Sequence, residues 1–308
     1  MKKSIIFGSF GQRTAKWHSG NVSSGYENTA LAITEDGLWR NLDNELDNTY
    51  DVVVSTMPSG DSLGKKKSSR WGKLIAMEEA GFGVINTPWY IPIVNSIGYD
   101  GFLVHTESLL EHYRVFNKPV GLCTPAYPMD LVMSLSEGCY TEGNNNVCLN
   151  LSRFHSSEAN VTAALRIMLN CPEINFVSYC DPVVGGDSLY ALKDSLSIPN
   201  WQIHGAINWR SYIREAARCQ AHLSMDNRMT WGRFQLDAYY TGSVCVGCSS
   251  QTQHILFPEY TVSPTEISKA TDLLKSCVSN HVRIKPVIRE EFLYETIKRQ
   301  VTEFASSL

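Results

Sequence analysis

The stretch from Thr230 to Gly247, TWGRFQLDAYYTGSVCVG, decides how the chain is read. It opens on a glycine beside an arginine, continues as an amphipathic run ending in Thr241-Gly242, and closes on valines at 244 and 246. That order is a loop, a helix and a buried strand, with Asp237 early in the helix. A helix preceded by Thr-Trp-Gly-Arg presents free backbone N–H groups and the positive end of its dipole to the loop, which suits a phosphate or a hydroxyl-rich group. Gly232 permits close approach, and Asp237 offers a carboxylate to ligand hydroxyls. The same residues also fit a plain turn at Gly232 and an acid that merely complements the helix dipole.

The pattern around this stretch repeats along the chain. In the first half, Ser4–Phe7, Asp51–Thr56, Gly83–Asn86 and Gly101–Val104 read as buried strands, each short, rich in Val, Ile or Phe and bounded by Gly, Pro, Asp or Asn. Helices are expected at 71–80 and 107–116. The second half gives strands at Asn146–Leu151, Ile174–Ser178, Trp201–His204, Ala221–Ser224 and Ser243–Val246, and helices near 158–169, 188–195, 209–219, 233–241 and 264–277. Strands separated by helices imply parallel sheets with right-handed crossovers and ligand sites at the carboxyl ends of the strands. At 308 residues the chain exceeds one compact core of roughly 250–300 residues, so two domains are expected. The Pro-Ala-Tyr-Pro stretch at 125–128 and the polar 141–146 segment are the linker signals. The expectation is an α/β chain of two Rossmann-like domains with parallel sheets facing across a cleft: residues 1–135, residues 145–286, and a C-terminal helix within 287–308 that packs back on the first.

Composition narrows the class of function. With 43% hydrophobic and 19% charged residues the chain is globular in type, and a formal charge of −4 supplies no global basic field for nucleic acid. The apolar run at residues 4–7 is too short for a signal peptide, and no stretch nears the ~18 apolar residues of a membrane span. Nine cysteines without a tight framework read as reduced thiols of a cytoplasmic setting, which leaves the sequons at Asn21, Asn150 and Asn160 without consequence.

In order and spacing the opening stretch resembles the donor-binding segment of GT-B glycosyltransferases, in particular the large retaining family that uses nucleotide-sugars. There a Glu-Gly-Phe-Gly loop leads into Leu-Glu-Ala-Met-Ala-x-Gly and then Pro-Val-Ile; here Met229 to Gly232, Leu236 to Gly242 and Ser243 to Val246 stand in those places. NVCLNLSRF at 146–154 resembles the family's first strand of the second domain, and the segments 174–182, 201–208, 212–225 and 101–128 follow its order of elements. Two positions depart from the pattern. Met229 stands where the first of two paired glutamates belongs, and Glu158 stands about where a lysine follows the Gly-Arg strand.

The resemblance implies transfer of a sugar from a nucleoside-diphosphate sugar, built on UDP or GDP, with retention and without a metal or bound cofactor. It puts Arg153 at the diphosphate, Thr230 and Gly232 with the amides after it at the sugar-phosphate end, and Asp237 on the ribose hydroxyls. With the lysine absent, Arg233 and Arg228 are the nearby candidates to neutralise the diphosphate, each equally readable as a solvated surface charge. Ser249, Ser250 and Gln251 follow the strand at 243–246 and either reach the same pocket or form a plain turn. Gly8 and Gly11 would line the opposite wall as a glycine loop. His105, at the end of a strand, and His18 are the candidate catalytic histidines, each also readable as an ordinary core or surface histidine. The run Lys65, Lys66, Lys67 and Arg70 fails as a phosphate-binding NTPase loop, because Ser59 occupies the first glycine position and Lys66 the Ser/Thr position. It is a candidate acceptor surface for a polyanion such as DNA, or a solvated loop. The contrasting reading is a non-catalytic nucleotide- or sugar-binding protein on the same fold. Cys245 and Cys248 have half-zinc spacing, yet the flanking valines place them on a buried strand.

Overall fold

The computed structural model of the chain describes residues 4–10, 25–56, 64–78, 90–151, 160–180, 186–205, 207–227, 231–248 and 250–308. Two compact units form. The first is built from Met1–Pro128, Met229–Trp231 and Arg289–Leu308, the second from Met129–Arg228 and Gly232–Ile288.

In the first unit the order is β1 (Ile5–Ser9), α1 (Gly25–Ile33), β2 (Trp39–Asn41), β3 (Tyr50–Thr56), β4 (Trp71–Glu78), α2 (Tyr90–Ile97), β5 (Gly101–Val104), α3 (Glu107–Tyr113) and β6 (Val120–Leu122). The strands make one parallel sheet in the order β2-β1-β3-β4-β5-β6. Successive side chains of a strand point to opposite faces, so a run such as Val52-Val53-Val54 feeds two cores at once. Val53 joins Leu74, Ala76, Phe102 and Tyr113 beneath α2 and α3, while Val52 and Val54 join Ile75, Met77 and Leu103 on the other face. This double burial is why the expected helix at 71–80 is β4 instead. Leu74 to Met77 are all fully buried in the middle of the sheet, and burial on both faces overrides the helix preference of Leu, Ala, Met and Glu. The strand order changes direction between β1 and β3, which puts this sheet's switch point at the ends of those strands.

The second unit begins with α4 (Met129–Ser136) and continues through β7 (Asn146–Leu149), α5 (Val161–Leu169), β8 (Asn175–Cys180), α6 (Gly186–Leu196), β9 (Trp201–Gly205), α7 (Trp209–Arg218), β10 (Ala221–Ser224), α8 (Arg233–Tyr240), β11 (Val244–Gly247), α9 (Gln251–Leu256) and α10 (Ile267–Ser279). Its parallel sheet runs β11-β10-β7-β8-β9. That order matches five of the six strands of a Rossmann sheet, with the switch in strand order between β7 and β10. From Gln235 to Cys248 every residue is buried, so this stretch is the centre of the unit. At the amino edge of the sheet Arg283 donates to the carbonyl oxygens of Cys219 (2.9 Å) and Thr241 (2.8 Å) and to Ser243 Oγ (2.8 Å), closing the ends of α7 and α8.

The last helix, α11 (Tyr294–Ser307), belongs to the first unit. Ile297, Val301 and Ala305 enter the core beside Phe7, Val52 and Val54, and Tyr294 donates to Asn28 Oδ1 at 2.8 Å. The chain's segment at Gly83–Asn86, expected as a strand, lies outside the described residues. No helix among the described residues is long and apolar enough to cross a membrane.

Candidate functional site

The carboxyl edge of the second sheet is polar where the strand order switches. After β7, Asn150 donates its backbone N–H to the Leu223 carbonyl and its side-chain amide to Ser224 Oγ, both at 3.0 Å. Asn160, held at φ 50° ahead of α5, donates to the Met225 carbonyl (2.8 Å) and to Asn227 Oδ1 (2.9 Å). Asp226 follows β10 and is buried. These groups lie at the topological crevice where ligands bind in open α/β sheets.

Beside this crevice α8 begins. Gly232 is its cap residue at φ 85°, a left-handed conformation that a side chain disfavours, and it brings no side chain of its own to cap the helix. Space forbids a side chain there as well: a Cβ on Gly232 would lie 2.1 Å from Thr252 Oγ1 and 2.3 Å from Ser250 Oγ. Thr252 donates to the Gly232 carbonyl at 2.8 Å, and Ser250 caps α9 by accepting from the Gln253 N–H at 3.2 Å. Ser249, the serine expected beside the pocket, lies outside the described residues, whereas its neighbour Ser250 reaches the glycine.

Arg233 is the first residue of α8, and its guanidinium lies over the Trp209 ring, 5.5 Å from the centroid. Asp237 is the fifth residue, past the first turn in which a carboxylate complements the dipole. It is 4% exposed and lies on the sheet side of α8, near the Cys148 thiol of β7. That thiol is pushed well up by its hydrogen bond with Cys219 and by burial, with the Asp237 charge adding to both. Gly232, Arg233 and Asp237 therefore share one helix, while Arg153 and Thr230 lie outside the described residues.

In the first unit His105 follows β5 and is 3% exposed. Its Nδ1 faces the Cys123 carbonyl, so the proton sits on Nδ1 and Nε2 keeps a lone pair, with no hydrogen-bond partner among the described residues. Burial pushes its pKa down to about 4, against the smaller opposite effect of the carbonyl, so the ring is neutral at pH 7. Buried Ser9, Thr56 and Glu78 end the neighbouring strands at the same carboxyl edge, and Tyr113 donates to Glu78 at 2.7 Å. His18 and Gly11 lie outside the described residues.

Gly8 and the basic run do not join this edge. Gly8 lies inside β1 instead of after it, and a Cβ there would meet the Arg40 carbonyl at 2.4 Å and Leu42 at 2.7 Å. Its bareness serves the contact with β2. The basic run precedes β4, at the amino edge of the sheet. Lys65 pairs with Asp43 (3.0 Å), Lys67 pairs with Asp100 (2.7 Å) and donates to the Gly72 carbonyl (2.8 Å), and Lys66 and Arg70 are at least partly exposed.

Cys245 and Cys248 are free and buried, as are six further thiols in whole or in part, and no group of three or more His, Cys, Asp or Glu among the described residues is arranged to hold a metal. Asn150, Asn160, Thr252 and Trp209 are not singled out as site residues by the sequence. Only Asn150 and Asn160 carried any signal, as polar residues flanking the segment that follows the first strand of this unit.

The two sheets with their covering helices define the fold of the GT-B glycosyltransferases. Among solved structures, Anabaena Alr3699/HepE in complex with UDP and glucose matches with a TM-score of 0.71 at 12% identity, over 99% of this chain and 100% of that one. A glycosyltransferase from Rickettsia africae ESF-5 matches at 0.64 and 10% identity, over 100% of this chain and 94% of that one. A UDP-forming α,α-trehalose-phosphate synthase from Burkholderia xenovorans in complex with glucose-6-phosphate matches at 0.60 and 11% identity, over 92% of this chain and 76% of that one. No protein-family model and no curated protein matches the sequence.

Proposed function

We propose that the protein is a glycosyltransferase that takes a sugar from a nucleoside-diphosphate sugar bound by its second unit. The observation that carries this reading is the start of α8 at Gly232, a cap residue without a side chain, set beside the carboxyl-edge crevice of a Rossmann-ordered sheet. Uridine diphosphate is the nucleotide to expect first, because UDP is bound by the Anabaena neighbour and formed by the Burkholderia one. In this reading the α8 amides and Arg153 stabilise the departing diphosphate while the sugar carbon acquires oxocarbenium character, with retention and with protein cations in place of a metal. Asp237 takes the ribose hydroxyls. His105 offers a neutral Nε2 to accept a hydrogen bond or a proton from a hydroxyl group.

A second reading keeps the ligand and drops the chemistry. Met229 stands where the resembling family carries a glutamate near the sugar, which favours a binder that does not turn over. One experiment separates them. Incubated with UDP-sugars and no acceptor, the enzyme releases UDP slowly and His105→Ala slows it further; a binder holds the intact donor without release.

A further inference from the structure

α7 and α8 meet through their first residues. Trp209 opens α7 and Arg233 opens α8, with the guanidinium carbon 5.5 Å from the centre of the indole. Trp209 is 7% exposed, and its Nε1–H is covered and meets no acceptor among the described residues. Arg233 Nη2 is covered in the same way and equally lacks a partner among them. Both groups are donors only, so neither can be satisfied by the other. Arg233 has no carboxylate partner among the described residues, unlike Arg40, Arg114, Arg218 and Arg289. A partly buried guanidinium with one covered nitrogen, stacked on a ring whose own N–H is covered and set next to the glycine that starts α8, calls for an anion with several acceptor oxygens.

We infer that Trp209 and Arg233 jointly hold one phosphate group of the nucleoside diphosphate. The assignment rests on the donor-site reading above and adds to it a residue, Trp209, that neither a motif nor the helix terminus identifies. The indole does two things in it. Its face fixes the guanidinium by cation–π stacking, and its N–H supplies a second donor to the same phosphate. The charge of Arg233 then stands in for the lysine position that Glu158 occupies in this chain. Asn208 caps α7 itself by accepting from the Ser211 N–H at 2.9 Å, so the contribution of α7 is its first side chain.

The test is calorimetric titration of the full chain with UDP, uridine and inorganic pyrophosphate. Trp209→Phe keeps the ring and the stacking but removes the N–H; Arg233→Gln removes the charge; Arg233→Lys restores charge without the planar fork. For UDP and pyrophosphate, Trp209→Phe is expected to weaken binding about tenfold and Arg233→Gln more, with Arg233→Lys between, while uridine binding stays unchanged. Should Trp209→Phe fail to fold, Trp209→Tyr, which likewise keeps an aromatic face and removes the indole N–H, takes its place. UDP bound equally by the wild type and the variants would overturn the assignment and leave the donor site standing. Pyrophosphate bound with the expected dependence, but no UDP, would uphold the phosphate site and remove the donor reading. Binding of neither would overturn both.

Discussion

Thr252 donates its hydroxyl hydrogen to the carbonyl oxygen of Gly232 at 2.8 Å, tying the first turn of α9 to the residue that starts α8. Two helices that follow adjacent strands are thereby locked together at the carboxyl edge of the sheet. The lock leaves no room for a side chain at 232. Gly232→Ala combines a strained positive φ with overpacking against two hydroxyls, so it is expected to destabilise the fold by about 2–4 kcal/mol in urea titrations. Thr252→Val, which loses the hydrogen bond to Gly232 and the longer contact with Ser250 Oγ, should lose only about 1 kcal/mol. Equal effects would show that the glycine is an ordinary turn.

Acid should unfold the protein through its buried histidines. His222, on β10 and edge-on to Phe234 at 5.2 Å, has a pKa pushed down to about 3 by burial and secondarily by Arg283, and His105 is pushed down to about 4. In the unfolded chain both titrate near 6.5. The unfolded state therefore binds more protons below about pH 6.5, so stability is complete above that value. It falls by about 1.4 kcal/mol per pH unit for each histidine as the pH drops toward the folded values. His222→Leu should flatten the plot of stability against pH between 6.5 and 4 by one such slope; an unchanged slope would rule out His222 as a source of acid sensitivity.

Arg283 holds four groups together at the amino edge of the second sheet, three by hydrogen bonds and Tyr140 by a ring contact of 4.1 Å. Arg283→Met is expected to remove about 2–4 kcal/mol, since buried carbonyls lose their donor, and Arg283→Lys to recover only part of it. Full recovery by lysine, read from thermal unfolding, would mean that charge and not the planar fork matters.

The last helix is structural to the first unit. Ile297 is fully buried among strand residues, so Ile297→Ala should destabilise by about 2–5 kcal/mol. Hydrogen exchange should then speed in β1 and β3 ahead of β10 and β11; uniform loss of protection would contradict this division.

The opening stretch was legible because glycine, a helical run and a short valine strand follow one another with nothing long-range needed to read them. β10 and β5 were legible for the same reason, being short and apolar between polar breaks. β4 was not. WGKLIAMEEA carries helix-forming residues, and only neighbours on both faces and both edges make it a strand. β2, three residues long, has too little pattern to stand out. In the site, Gly232 was marked by its place before a helix. Trp209 and Arg233 are 24 positions apart and Asn150 and Ser224 are 74 apart, so their meeting is a product of the strand order alone.

Binding of a nucleoside diphosphate by the second unit can be measured with a thermal-shift panel of UDP, GDP, ADP, CDP, dTDP and NAD. At 100 times its dissociation constant a ligand stabilises the folded state by about 2.7 kcal/mol, a shift of a few degrees for a chain of this size. UDP is expected to raise the melting temperature, and the rise to disappear in Arg153→Ala and Asp237→Asn. No shift with any diphosphate, or a shift that survives in both variants, would contradict binding at this site.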